Sequence, residues 1–319
     1  MVGFEPKLFI EKEVEKAKQL LQNQKAMVAV SGGIDSTTAA IIAYRAIKDN
    51  LDVLFVDTGL MRENEQKRIQ QNFEKFGIKL NVIDAKKEFL KALKNVTDPE
   101  KKRKIIGKLF IEIFQGYAKK NNIKFLIQGT IAPDWLESGG QGRKTIKSHH
   151  NVGGLPKKMW IKIYEPLRDC YKHEVRMIAK ELGLDESFIQ KQPFPGPGLA
   201  VRIIGPIDEE KIEIVKKATA IVENEIEKAI QENKINRPWQ YFAVLLNSKA
   251  TGVKGDERDY GYIISIRIVE SIDGMTANYV KIPYEILEKI SCRITNEIKG
   301  VNRVVYDITN KPPATIEYE

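Results

Sequence analysis

Within the first 127 residues, four short apolar runs alternate with stretches of helical composition. The runs are 26–30 (AMVAV), 51–56 (LDVLFV), 79–83 (KLNVI) and 124–127 (KFLI). Each has the length of a strand. Between them lie 36–47, with Ala39, Ala40, Ala43 and Ala46, the polar stretch 62–76, then 86–93 and 99–120. The last of these opens on Thr97-Asp98-Pro99, a capping residue followed by proline in the first turn. This β-α-β-α order predicts an α/β fold, a parallel sheet with helices on both faces. Its crossovers are right-handed, which places ligand-binding loops at the C-terminal ends of the strands.

Residues 133–158 break the pattern. They hold Gly139, Gly140, Gly142, Gly153 and Gly154, the adjacent His149 and His150, and no sustained period. A loop this long inside a compact domain is usually functional or disordered. Helical spacing returns over 172–182. Pro193-Phe194-Pro195-Gly196-Pro197-Gly198 can form neither helix nor central strand. We place the domain boundary there, giving domains 1–195 and 196–319. The second reads as a strand at 201–204, a long helix at 208–232, strands at 241–246 and 262–269, a helix at 283–298 and a strand at 303–308. That is an α+β order, followed by an extended tail.

Composition narrows the function classes. Apolar residues make up 42% and charged residues 30%, ordinary globular usage that excludes collagen-like and globally disordered chains. No uncharged apolar run reaches the roughly 18 residues of a membrane helix, and the N-terminus lacks a basic-then-apolar secretory pattern. The expectation is a cytoplasmic protein that does not engage membrane. Fifty-two basic against 43 acidic residues leave +9. That excess would suit nucleic acid or a site holding several phosphates. The lysines at 11–18 and 223–228 are interleaved with glutamates, which reads as solvated helix faces, so nucleic acid is not expected. Two cysteines, Cys170 and Cys292, and three histidines exclude a disulfide framework and offer no CxxC or HxxxH spacing for structural zinc. Cys292 shares the segment 286–298 with Ile286, Leu287, Ile290, Ile294 and Ile298, which predicts a small buried apolar role.

Chemistry concentrates after the first strand, in Ser31-Gly32-Gly33-Ile34-Asp35-Ser36-Thr37. Two glycines without Cβ atoms let the backbone turn sharply and approach a ligand. The helix that follows points unpaired N–H groups and its positive end at the same place. Ser31, Ser36 and Thr37 add hydroxyls. The result is an anion cradle. Asp35 is out of place there unless it faces a cation, which implies Mg²⁺ carried on phosphates. The lysine of a GxxxxGK[ST] loop is absent, and the spacing is not GxGxxG. A plain capped strand–helix turn is the alternative; a bare SGG would suit it equally, and all seven residues after an apolar strand favour the cradle over it.

The heptad resembles the pyrophosphate loop (SGGxDS) of the N-type ATP pyrophosphatases, enzymes that cleave ATP between its α and β phosphates and transfer AMP to an oxygen. Further blocks resemble one family of that group, the GMP synthetases. They are 55–62 (FVDTGLMR), 98–107 (DPEKKRKIIG), 128–131 (QGTI), 146–156 (IKSHHNVGGLP), 194–198 (FPGPG) and 311–317 (KPPATIE), in that family's order. The likeness runs from about residue 25 to the C-terminus. It implies an adenine-nucleotide-hydrolase-like ATP pyrophosphatase domain followed by a smaller α+β domain that dimerises and binds XMP. The implied reaction joins XMP, ATP and ammonia into GMP, AMP and pyrophosphate.

The resemblance also distributes roles. Ser31, Gly32, Gly33, Ile34, Asp35, Ser36 and Thr37 would hold ATP, with Val56, Asp57, Leu60 and Gly129 beside it. Residues 133–158 would be a lid bringing Lys147, His149 and His150 onto the phosphates, with catalytic roles shared between these three and Asp35. Asp134 and Glu137, at the lid's start, are further candidates as partners of Mg²⁺ or of Lys147. Arg103, Pro195, Gly196, Pro197, Gly198, Lys311, Thr315, Ile316 and Glu317 would bind XMP. Tyr318 stands where many relatives have Trp, a mild departure. Many relatives carry a glutamine amidotransferase domain before the loop. Cys170 (RDCYK) and Cys292 (ISCRI) lack the setting of its nucleophile. The expectation is therefore a separate amidotransferase polypeptide that supplies ammonia. Other pyrophosphate-loop enzymes, such as NAD synthetase or an RNA-modifying member, would lack the FPGPG block and the KPPATIE tail or would carry an RNA-binding appendage. A non-catalytic nucleotide-binding regulator conflicts with intact Ser31, Asp35 and Lys147.

Overall fold

The computed structural model describes residues 3–137, 161–272 and 274–319. Contacts sort the chain into two units. The first is Met1–Asp57, Asn64–Ala85 and Ile106–Lys191, and the second is Thr58–Glu63, Lys86–Ile105 and Gln192–Glu319. No helix among the described residues is long and apolar enough to cross a membrane.

In chain order the elements up to Lys191 are α1 (Pro6–Leu21), β1 (Ala26–Ala29), α2 (Ile34–Ile47), β2 (Leu51–Asp57), α3 (Glu65–Glu74), β3 (Leu80–Asp84), α4 (Lys86–Leu93), α5 (Pro99–Lys120), β4 (Phe125–Ile127), α6 (Ala132–Glu137), β5 (Lys162–Tyr164), α7 (Lys172–Leu182) and α8 (Glu186–Ile189). Of these, α4 and the first residues of α5 group with the second unit. The five strands form one sheet in the order β3-β2-β1-β4-β5, every pair parallel. The expected α/β sheet is therefore present. Strand β5 is an addition to the four expected strands; a run of three residues is too short to carry a period. Helix α3 starts at Glu65 rather than at 62, since Asn64 turns the chain through φ +57°.

One sheet face packs Met27, Leu54 and Leu126 with Ala118, Ile123 and Ile161, and Phe114 and Tyr117 of α5 lie against them. Val28, Val53, Phe55, Phe125 and Ile127 alternate to the other face and are equally buried. Each such side chain contributes about 1.5–3 kcal/mol over its exposed state. The chain leaves β1 for β2 and β3, then returns to β4 on the opposite flank of β1. Loops after β1 and β4 thus diverge at a topological switch point, where open α/β sheets place ligands.

The second unit adds α9 (Glu209–Gln231), β6 (Gln240–Lys254), β7 (Glu257–Glu270), β8 (Asn278–Tyr279), α10 (Tyr284–Glu297) and β9 (Val301–Tyr306). Strand β7 is central. It pairs antiparallel with β6 along one side and, on the other, antiparallel with β8 and parallel with β9. Asp208 caps α9 by accepting from the Lys211 amide at 2.9 Å. The expected strand at 201–204 is replaced by a 3-10 turn, Gly198–Arg202, with only Ile203 bridged to Leu245. Gly198, at φ +64°, turns the chain there. Strands β6 and β7 outrun the expected 241–246 and 262–269, continuing past a bulge between Leu245 and Lys249. Cys292 is exposed, contrary to expectation. Ile290 and Ile294 hold the buried face of α10, and a residue two positions on from Ile290 lies about 200° around the helix.

Candidate active site

The loop 31–37 closes on itself through hydroxyls. Ser36 Oγ donates to the Gly33 carbonyl at 3.2 Å and accepts from the Ser31 amide at 3.3 Å. The Gly33 amide donates to Ser31 Oγ at 3.4 Å. Gly33 is the N-cap of α2, and no described side chain caps that helix, so its first-turn N–H groups are open to water or an anion. Gly32 sits at φ +80°, and a Cβ there would stand 2.7 Å from Glu65 Oε1 and from Ile69 Cδ1. Gly129, just past β4, is equally confined: its Cβ would lie 2.7 Å from the Asp35 carbonyl carbon and the Ser36 nitrogen. The end of β4 is thus pressed against the start of α2, as the switch-point geometry requires.

Asp35 carries a partner that no sequence motif singles out. Lys172 Nζ, at the first position of α7, lies 2.9 and 2.6 Å from its two carboxylate oxygens. The pair is half-exposed, 44% for Lys172 and 25% for Asp35. Magnesium at phosphates takes one or two carboxylates and fills its remaining sites with phosphate and water oxygens. Asp35 at the mouth of the loop fits that requirement. Among the described residues no group of three or more His, Cys, Asp or Glu gathers around it. Asp134, the second candidate, accepts from the Ile131 amide at 3.1 Å, capping the start of α6. The Glu137 side chain, and Lys147, His149 and His150, lie outside the described residues.

Val56 and Leu60 have buried side chains, and the Leu60 carbonyl accepts from the Leu199 amide at 2.8 Å. The Asp57 carbonyl accepts from the Ala85 amide at 3.0 Å. Thr37 is buried with its hydroxyl unpartnered among the described residues.

In the second unit, the Pro195 carbonyl accepts from the Gly198 amide at 2.9 Å, closing Pro195, Gly196, Pro197 and Gly198 into a tight turn. Glu317 receives two bonds from Arg202, both 2.9 Å, and one from Gln240 Nε2 at 2.7 Å. Ile316 is buried with Phe242 and Val244. The Thr315 carbonyl accepts from Arg267 at 3.0 Å. Lys311 Nζ donates to the Gly274 carbonyl at 2.8 Å, and its backbone pairs with Ala277. Arg103 bonds Glu100 at 3.0 Å on its own helix. Beside it, fully buried Lys102 reaches the Ile203 carbonyl at 2.7 Å and pairs with Glu319; burial pulls this ammonium below its usual range against the attraction of that carboxylate. The tail is therefore seated, not frayed.

Residues 224–318 match the model of the GMP synthase C terminal domain, and residues 25–191 match that of queuosine biosynthesis protein QueC. The chain is 54% identical to a subunit of the glutamine-hydrolyzing GMP synthase of Methanopyrus kandleri, over 99% of this chain and 100% of that one. It is 57% identical to the subunit of the same name from Pyrococcus furiosus, over 98% and 97%. The chain belongs to the GMP synthase family. It also matches a GMP synthase [glutamine-hydrolyzing] of Caldanaerobacter subterraneus at 54% identity, over 97% of this chain and 60% of that longer one. The QueC match ends before α9, whereas the GMP synthase relatives match across both sheets.

In this member of the GMP synthase family, Lys172, Arg202, Gln240 and Lys102 are the site neighbours that sequence reasoning misses. Lys172 has one local signal. It follows Tyr171 in a capping box closed by Glu174, whose carboxylate accepts from the Tyr171 amide at 2.7 Å. The other three act across 77 to 217 residues, and no spacing announces them. Cys170 is buried, and burial first, then Glu174, Glu13 and Asp169, push its thiol up to about 12. That is an inert setting, the reverse of a glutaminase nucleophile.

Proposed function

We propose that this chain synthesises GMP from XMP, ATP and ammonia. The observation that carries the reading is the 31–37 cradle at a parallel-sheet switch point, in a chain whose full-length relatives are named as GMP synthase subunits. In the first step the C2 oxygen of XMP attacks the α-phosphorus of ATP. The bond to the bridging oxygen breaks and pyrophosphate leaves. In the second, ammonia attacks C2, the C2–O bond breaks, AMP departs with both electrons and the nitrogen loses its extra proton.

The chain's own groups suit the first step. The uncapped N–H groups of α2 and the hydroxyls of Ser31 and Ser36 bind the two outer phosphates and steady the charge that develops as they leave. Asp35 would hold Mg²⁺, which when bound neutralises phosphate charge. Lys172, released from Asp35, stays within reach of the same phosphates. Lys147, His149 and His150 complete the phosphate contacts from the lid at 133–158. Val56, Asp57, Leu60 and Gly129 frame the adenosine. XMP is bound by Arg103, by the turn 195–198, and by Lys311, Thr315, Ile316 and Glu317. Domain 1–195 supplies the ATP contacts together with Arg103 and Pro195, and domain 196–319 supplies the remaining XMP contacts and forms a homodimer. The full-length relatives are named as one subunit of a glutamine-hydrolyzing enzyme, which supports a separate glutamine amidotransferase as the source of ammonia. The protein works in the cytoplasm.

The test is pyrophosphate release on mixing ATP, Mg²⁺ and ammonium with XMP, IMP or deamido-NAD in turn. Only XMP should support turnover, and the nucleotide product should be AMP. Asp35→Ala should lower that turnover by roughly a thousandfold. Formation of ADP, or equal turnover with IMP, would remove the reading. Glutamine should replace ammonium only after the amidotransferase is added.

A further inference from the structure

Arg62 lies in the turn Thr58–Glu63 of the second unit and is only 6% exposed. Its Nη1 donates to Glu223 of α9 and its Nη2 to the Gln192 carbonyl, both at 3.2 Å. Its guanidinium carbon stands 4.6 Å from the centroid of the Phe194 ring. Gln192 is fixed in turn: its Nε2 donates to the same Glu223 oxygen at 2.8 Å, and its Oε1 accepts from the Tyr241 amide at 2.8 Å. The turn grips the segment again on its far side. The Leu199 amide donates to the Leu60 carbonyl at 2.8 Å, and a Cβ on Gly198 would stand 2.4 Å from that oxygen. The sequence 194–198 is thus held at both ends by one short turn from far earlier in the chain.

Phe194 passes the constraint on. A second buried guanidinium, that of Arg202, lies 5.1 Å from its ring centroid and 3.9 Å from that of Phe242. Arg202 is the residue that holds Glu317 through two bonds. Fold stability alone is a poor reason for Arg62. Burying a guanidinium is costly, its Nε has no partner among the described residues, and well-packed apolar side chains are often at least as stable. What a planar fork does that an apolar side chain cannot is fix a carbonyl, a carboxylate and a ring face in one geometry.

We infer that Arg62 is a positioning residue for XMP binding: by holding Gln192 and Phe194 it sets where the turn 195–198 presents its backbone and where Arg202 presents Glu317. This rests on the reading of 195–198 and Glu317 as XMP contacts. Arg62 touches no substrate and acts only through those groups.

Arg62→Lys keeps the charge and loses the fork. Phe194→Leu removes the ring with a smaller change to the buried fork. Both are made in the full chain and measured by calorimetric titration with XMP and by steady-state turnover with ATP and ammonium. Each should raise the XMP Kd and KM by roughly 10–100-fold, the effect of losing one or two charged hydrogen bonds in Arg62→Lys and two buried cation–ring contacts in Phe194→Leu, with kcat and the ATP KM changed by less than about threefold. Unchanged XMP binding in a folded Arg62→Lys protein overturns the inference. So does an ATP KM that rises as far as the XMP KM, which would mark a general structural role. Should Arg62→Lys not fold, Phe194→Leu decides by the same criteria. Wild-type protein that binds no XMP overturns the underlying reading as well, and so separates the two failures.

Discussion

The proposed phosphate cradle and the proposed XMP pocket at the tail solve the same problem by opposite means. The cradle is built from backbone: two glycines, a helix start and hydroxyls that bond within six residues of one another. The pocket is built from long side chains: Arg202 of the 3-10 turn and Gln240 of β6 reach Glu317, Arg267 of β7 reaches the Thr315 carbonyl, and Lys102 of α5 reaches Glu319. A backbone device needs room, so it is vulnerable to an added atom. A side-chain device needs partners, so it is vulnerable to a lost one.

That contrast makes predictions of graded size. The largest concerns Gly129→Ala. The added methyl would meet Asp35 and Ser36 backbone, which cannot swing aside. The start of α2 must shift, so turnover should fall by at least roughly a hundredfold and stability by about 1–3 kcal/mol, measured by pyrophosphate release and thermal melting. Near-normal turnover would show that the cradle tolerates displacement and would break the comparison. Next comes Arg202→Met, which fills the space and leaves Glu317 without its fork. The XMP KM should rise by roughly 30–100-fold with the ATP KM steady. An equal change in both would say that the pocket is scaffolding. The smallest effect concerns the thiols. With its pKa pushed up to about 12, Cys170 stays a thiol below that pH and should resist iodoacetamide at pH 8, whereas exposed Cys292 should react within minutes without loss of turnover. Rapid labelling of Cys170 in active protein would refute its buried setting.

The same contrast explains what can be read in advance. Strands β1 to β4 are legible because apolar runs of strand length recur between helical stretches. The cradle is legible because its geometry is written in seven consecutive residues. Arg202 reads as part of a strand from sequence, yet its side chain is turned by a partner 115 residues later. Cys292 is misplaced by its apolar neighbours because one buried helix face does not say which intermediate position it shelters. Lys172 escapes notice because its partner Asp35 lies 137 residues earlier, on another helix. Local chemistry can be recognised from spacing; charge pairing across the chain must be seen.

The contact beneath Gly32 has a practical corollary. Glu65, itself almost wholly buried and paired with Lys191, presses on that glycine together with Ile69. The seven-residue turn is therefore not a portable cassette. Grafting it onto another parallel sheet without the helix bearing Glu65 and Ile69, and a cation to pair with the former, would transfer the letters of the motif and leave behind the floor that gives them their shape.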